Sequence, residues 1–228
     1  MAVTESSKKH LQRWQSAMQA MPLVAILRGV KPEEVVAVGE VLYECGFRIL
    51  EVPLNSPDPY ASIAALRKAM PVEVLVGAGT VLKPDQVDAC VDAGGELIIA
   101  PNFSLAVAQQ SAVHDMLYCP GVATPSEAFA ALDAGAHALK FFPSEIIGTA
   151  GVKAMLAVLP KGTATLPVGG IDASNMEAYL DAGASGFGLG SSVYKPGFSL
   201  AEIKSRGRDL CDVIIKKTAK RLANEVNK

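Results

Sequence analysis

Eight short apolar runs, each followed by a longer amphipathic stretch, constrain the fold of this chain more than any other feature of it. They are Leu23–Leu27, Arg48–Val52, Val74–Gly77, Leu97–Ala100, Met116–Cys119, Ala138–Phe141, Thr165–Val168 and Gly186–Leu189. Runs that are apolar throughout, with no alternation, suit strands buried on both faces, which are parallel strands joined by helices. The intervening windows carry helix start signals. Lys31-Pro32-Glu33-Glu34, Lys83-Pro84-Asp85-Gln86 and Thr124-Pro125-Ser126-Glu127 each place proline in a first turn with an acidic residue behind it. Stop signals follow at Gly46, Gly94, Gly135 and Gly183, where glycine tolerates the left-handed backbone that ends a helix.

Eight such units fit an α/β fold of the (β/α)8 TIM barrel type, a single domain with an N-terminal helix. A doubly wound sheet would call for a G-x-G-x-x-G turn after the first strand. Arg28-Gly29-Val30 stands there instead. The expected organisation is an N-terminal helical segment over 1–22 and a barrel over 23–228 that includes the C-terminal helix. The basic cluster near the end, Lys216, Lys217, Lys220 and Arg221, reads as a solvated helix end.

Composition excludes several classes. Half of the 228 residues are hydrophobic and 19% are charged, which supports a large core, and the net charge of −2 gives no basic surface for nucleic acid. No apolar run approaches the roughly 18–20 residues that span a bilayer. The opening residues, MAVTESSKKHLQRWQ, lack the apolar stretch of a secretory signal, so a cytoplasmic protein without a membrane partner is expected. Four dispersed cysteines and three dispersed histidines form no local metal motif, and free thiols are the plain reading.

In a barrel of this kind the chemistry sits at the C-terminal ends of the strands. The polar residues expected there are Arg28, Glu51, Asn55, Thr80, Asn102 and Lys140, beside the glycine-rich stretches Gly169-Gly170 and Gly188-Leu189-Gly190-Ser191. Lys140 lies in Ala-Leu-Lys-Phe-Phe-Pro, where desolvation favours the neutral amine that attacks a ketone. A plain ion pair with Glu145 is the competing reading. Glu51, in Ile-Leu-Glu-Val-Pro-Leu, suits a general acid/base, or else a counter-ion for Lys140 or Arg28. Glycines after the seventh and eighth strands suit a phosphate site, to which Arg28 could add charge.

The ordered set Ala25-Ile26-Leu27-Arg28, Leu50-Glu51-Val52, Val76-Gly77-Ala78-Gly79-Thr80-Val81-Leu82, Leu139-Lys140-Phe141-Phe142-Pro143, Val168-Gly169-Gly170-Ile171 and Leu189-Gly190-Ser191 resembles the 2-keto-3-deoxy-6-phosphogluconate/galactonate aldolases. The resemblance implies a metal-free and cofactor-free class I aldolase, a homotrimer, that cleaves a small phosphorylated keto acid to pyruvate and glyceraldehyde 3-phosphate. It implies Lys140 as the Schiff-base lysine and Glu51 as the acid/base. Thr80 and Pro101 would line the pyruvyl pocket, with Phe142 as its wall. Gly169, Gly170, Gly190 and Ser191 would cradle the phosphate. The gluconate branch usually has an arginine where this chain has Asn55, and a threonine where it has Val168. Both differences resemble the galactonate branch. The gluconate epimer, or both epimers, is the neighbouring alternative, and a phosphosugar isomerase on the same barrel is the alternative from another class.

Overall fold

The computed structural model describes residues 5–226, so residues 1–4 and 227–228 of the two expected segments lie outside the described residues. The chain opens with helix α1 (Glu5–Ala20) and then alternates strand and helix. Strands β1 (Leu23–Ile26), β2 (Ile49–Pro53), β3 (Leu75–Gly79), β4 (Leu97–Ile99) and β5 (Leu117–Cys119) are separated by α2 (Pro32–Cys45), α3 (Pro59–Ala69), α4 (Pro84–Asp92) and α5 (Leu105–Val113). After β5 come β6 (Gly121–Val122), α6 (Pro125–Asp133), β7 (Leu139–Phe141) and α7 (Ser144–Leu156). The order ends with β8 (Thr165–Pro167), α8 (Met176–Asp181), β9 (Phe187–Leu189) and α9 (Leu200–Val226). The start signals act as expected. Thr124 Oγ1 accepts from Glu127 N at 3.3 Å while Glu127 Oε2 accepts from Thr124 N at 2.9 Å, a reciprocal cap on α6. Gly46 ends α2 at φ 119°.

All strand pairs are parallel. One sheet runs β5-β4-β3-β2-β1-β9 and another runs β6-β7-β8. The described residues thus hold nine strands where the sequence reading expects eight, because a short strand, β6, follows the fifth apolar run beyond Pro120. Proline offers no N–H to a ladder. Its carbonyl still accepts from Lys140 N at 2.9 Å, so β5 and β6 follow one another along the same path. Pro167 withholds a donor in the same way at the end of β8, and β8 meets β9 through a single bridge between Val168 and Gly188. The outcome is a curled parallel sheet with helices over its outer face.

Strand alternation sorts the core into two layers. Leu23, Ala25, Leu50, Val52, Val76 and Ala78 face the helices. Val24, Ile49, Leu75, Leu97, Leu117 and Leu166 face inward and pack with Trp14 and Ala17 of α1. Burying an indole removes on the order of 200 Å² from water, worth about 5 kcal/mol, so α1 is an integral part of the fold. Its polar face is held as well. Arg13 pairs with Glu96, which also takes Arg67 at 2.8 Å, and His10 Nδ1 lies 2.9 Å from the Asp115 carbonyl. Glu96 and Asp115 both precede strands, so α1 covers the N-terminal side of the sheet and leaves the C-terminal side open.

At the other end of the chain, Lys217 pairs with Asp181 at 2.5 Å and Lys220 with Glu177 at 3.3 Å, which ties α9 to α8. Lys217 and Lys220 are thus paired on this helix face and Lys216 is exposed; the Arg221 side chain lies outside the described residues. Among the described residues, no helix is long and apolar enough to cross a membrane. All four cysteines are free thiols.

Candidate active site

At the C-terminal side of the sheet, two ionisable side chains lie where water barely reaches. Lys140 of β7 is 4% exposed and Glu51 of β2 is 1% exposed. Both line one small cavity walled by Ile26, Cys119, Leu166, Val168 and Gly188. Burial raises the Glu51 carboxyl above its ordinary range, and the charges of Lys140 and Arg28 pull it part of the way back. Among the described residues, Glu51 Oε2 finds no hydrogen-bond partner. A carboxyl raised above its ordinary range by burial is suited to exchange a proton.

Gly79 makes room for that carboxyl. A β-carbon at Gly79 would stand 2.7 Å from Glu51 Oε1 and 2.8 Å from its Cδ. Gly79→Ala is therefore expected to displace Glu51 and lower kcat by about 10²-fold, the size of an ångström-scale misplacement, with the fold retained. Steady-state kinetics beside circular dichroism checks this.

Lys140 and Phe142 stand two residues apart on the same face, with Lys140 Nζ 5.1 Å from the Phe142 ring centroid. Glu145 does not pair with Lys140. It is exposed, and its side chain packs against Gly169 and Gly170. The plain ion-pair reading of Lys140 is thereby set aside.

The remaining residues form the rim. Thr80 directly follows β3 with φ 59°, a left-handed conformation that costs a non-glycine residue about 1 kcal/mol or more and that gathers at functional sites. Pro101 lies half-buried just beyond β4. Arg28, exposed at the end of the first apolar run, donates from Nη1 to Asn55 Oδ1 at 3.0 Å. That contact turns its guanidinium toward the β2 loop, and Gly29 N donates to Ser56 Oγ at 2.9 Å beside it.

The glycine stretches differ from one another. Gly169 and Gly170 adopt φ of 101° and 64°, a consecutive left-handed pair that side chains resist. Gly190 lies outside that region and meets nothing within 4 Å of its β-carbon position, so it permits close approach without special backbone angles. Val193 N and Tyr194 N both donate to Gly190 O at 2.9 Å, which forms a helical turn with Ser191 at its start. An open cavity between the two loops is lined by Gly170, Ser174, Ser191, Ser192 and Arg206.

Lys140, Glu51 and Val168 therefore share one cavity, and Gly170 and Ser191 share the next. Several neighbours escape a strand-end reading of the sequence. Cys119 faces the lysine, its thiol pushed up to about 12 by burial, so it stays protonated. Its position in an inward-facing register was the available signal. Arg206 sits on α9, its guanidinium 4.5 Å from the Phe198 ring centroid, and nothing in its local sequence marks it. Among the described residues, no three His, Cys, Asp or Glu side chains gather closely enough to hold a metal ion.

A buried lysine and a buried carboxyl share one cavity at the C-terminal edge of a parallel sheet, the edge at which barrels of this kind carry their chemistry. The model of the KDPG and KHG aldolase family matches residues 14–203. A probable 2-dehydro-3-deoxy-6-phosphogalactonate aldolase of Rhizobium meliloti strain 1021 is 48% identical over 81% of this chain and 87% of that protein. The 2-dehydro-3-deoxy-6-phosphogalactonate aldolase of Escherichia coli strain K12 is 46% identical over 82% of this chain and 90% of its own length. A solved structure described as native KDPGal superposes with a TM-score of 0.86 at 42% identity, covering 87% of this chain and 97% of the other. The KDPG aldolase of Legionella pneumophila, solved with pyruvate captured as a covalent carbinolamine, superposes at 0.78 with 26% identity, covering 91% and 98%. The protein is a lyase that breaks carbon–carbon bonds. It belongs to the KDPG and KHG aldolase family.

Proposed function

We propose that this chain is a class I aldolase that cleaves 2-dehydro-3-deoxy-6-phosphogalactonate into pyruvate and glyceraldehyde 3-phosphate. The observation that carries the reading is the pair of water-excluded groups, Lys140 and Glu51, on one cavity at the mouth of the sheet. The Lys140 amine attacks the C2 ketone, and loss of water leaves an iminium. That cation accepts the electron pair of the C3–C4 bond once Glu51, directly or through a water, takes the proton from the C4 hydroxyl. Glyceraldehyde 3-phosphate leaves. The enamine is protonated at C3 by the carboxyl just formed, and water then releases pyruvate and restores Lys140.

Thr80, Pro101 and Phe142 bound the three-carbon end, and Arg28 with Asn55 supplies polar groups for the substrate carboxylate. Gly169, Gly170, Gly190 and Ser191 receive the phosphate, which fixes C4 opposite Glu51. The same reading takes residues 23–228 as one closed (β/α)8 barrel joined at Pro120 and at the Val168–Gly188 bridge, with 1–22 as its helical cover. It also takes the enzyme as a cytoplasmic homotrimer that needs no metal or organic cofactor.

The galactonate preference rests on Val168. The two candidate substrates are epimers at C4, and Val168 lines the cavity that holds both reacting groups. A β-carbon at Gly188 would stand 2.7 Å from Val168 Cγ2, so the valine fills that space and offers no hydroxyl partner to C4. The expected result is a higher kcat/KM on the galactonate epimer. Val168→Thr should shift the ratio toward the gluconate epimer by about tenfold, one hydrogen bond's worth. Equal values on the two pure epimers in the wild type would defeat this assignment and leave the lysine chemistry standing.

A further inference from the structure

The paired glycines are held by two side chains that the chemistry above does not use. Ser144, fully buried four residues after Lys140, donates from Oγ to the Gly169 carbonyl at 2.6 Å. Its own N–H donates to the Val168 carbonyl at 2.8 Å, and its carbonyl accepts from Tyr179 Oη at 3.0 Å. Asn175 Nδ2 donates to the Gly170 carbonyl at 2.7 Å, while its Oδ1 accepts from Asp172 N at 3.0 Å. Two successive peptide planes are thus pinned at their oxygens.

A trans peptide directs its C=O and N–H to opposite sides. Fixing the Gly169 oxygen therefore aims the Gly170 N–H, and fixing the Gly170 oxygen aims the Ile171 N–H. Successive backbone N–H groups in a turn make an anion-binding concavity, and the positive φ of Gly169 and Gly170 builds such a turn here. The exposed Glu145 carboxyl packs against the same glycines, so affinity for an anion depends on how rigidly those N–H groups point.

We infer that Ser144, with Asn175, is a positioning residue that orients the glycine turn toward the substrate's phosphoryl group and ties that turn to the strand bearing Lys140. The identity of the anion rests on the proposed function. Ser144→Ala suits the buried site sterically, since it removes one oxygen and keeps both backbone hydrogen bonds.

The test runs the reaction in the condensing direction, with pyruvate and either glyceraldehyde 3-phosphate or glyceraldehyde. In Ser144→Ala, KM for glyceraldehyde 3-phosphate should rise about tenfold, the scale of one buried hydrogen bond, with little change for glyceraldehyde. Asn175→Ala should act in the same direction. Calorimetry with inorganic phosphate reads the turn independently of catalysis, and its Kd should weaken by a similar factor. An unchanged phosphate Kd, or equal losses on the two aldehydes, would overturn the inference. A wild type that binds phosphate through this turn yet forms no pyruvate imine would refute the aldolase mechanism and uphold the inference.

Discussion

Lys140→Ala is expected to lower cleavage by on the order of 10⁵-fold and to abolish imine trapping with pyruvate in the same stroke. The two losses go together because a single amine is assigned both the covalent bond and the electron sink. Without the iminium, breaking C3–C4 would place a carbanion next to an unactivated ketone. Among the described residues, no other lysine lines the cavity to replace it. The variant should remain folded, since the site is an apolar strand position and alanine leaves the ladder contacts of β7 in place. Release of pyruvate measured by a coupled assay, beside the far-ultraviolet circular dichroism of the variant, reads both parts. Turnover within about tenfold of the wild type would remove Lys140 from its role.

Glu51→Gln should lower kcat by roughly 10² to 10⁴-fold, the usual range for a positioned acid/base, while leaving imine formation with pyruvate in place. Its effect on stability has the opposite sign. Burial lifts the Glu51 pKa above its ordinary value of 4.5, so the folded state keeps the proton to higher pH than the unfolded chain does. Within that window the native state binds more protons, and Glu51's contribution to stability, full below 4.5, is lost as pH rises through the folded pKa. Glutamine carries no such dependence. The Tm of Glu51→Gln relative to the wild type should therefore climb as pH rises above the ordinary value of 4.5. A Tm difference that stays flat or falls over that range would contradict the assigned shift. A kcat close to that of the wild type would contradict the assigned role.

The sequence carried the layout of this site in unusual detail because its main signals are local. Apolar runs marked every strand but β6, and Pro32, Pro84 and Pro125 each stand at the first residue of a helix. Lys140 and Glu51 stood out as lone charges in such runs, and the structure brings them to one cavity. The short strand β6 was missed because Pro120, which cannot donate to a ladder, separates Gly121 and Val122 from the fifth run. Other features depend on what packs where. Gly79 looks like any strand glycine until the Glu51 carboxyl is found in its β-carbon space. Ser144 reads as a helix-start serine, and only the fold carries its hydroxyl to Gly169. Arg206 lines the cavity beside the glycine turn from a helix whose local sequence gives no hint of a ligand. Arg28 also donates to Asn55, a contact that depends on the β1 and β2 loops running side by side.

The most direct measurement of the central claim is to incubate the protein with pyruvate, reduce with borohydride and map the adduct by peptide mass spectrometry. A reduced pyruvyl adduct is expected on Lys140 and is expected to be absent from Lys140→Ala. An adduct on another lysine, or none on any, would contradict that claim.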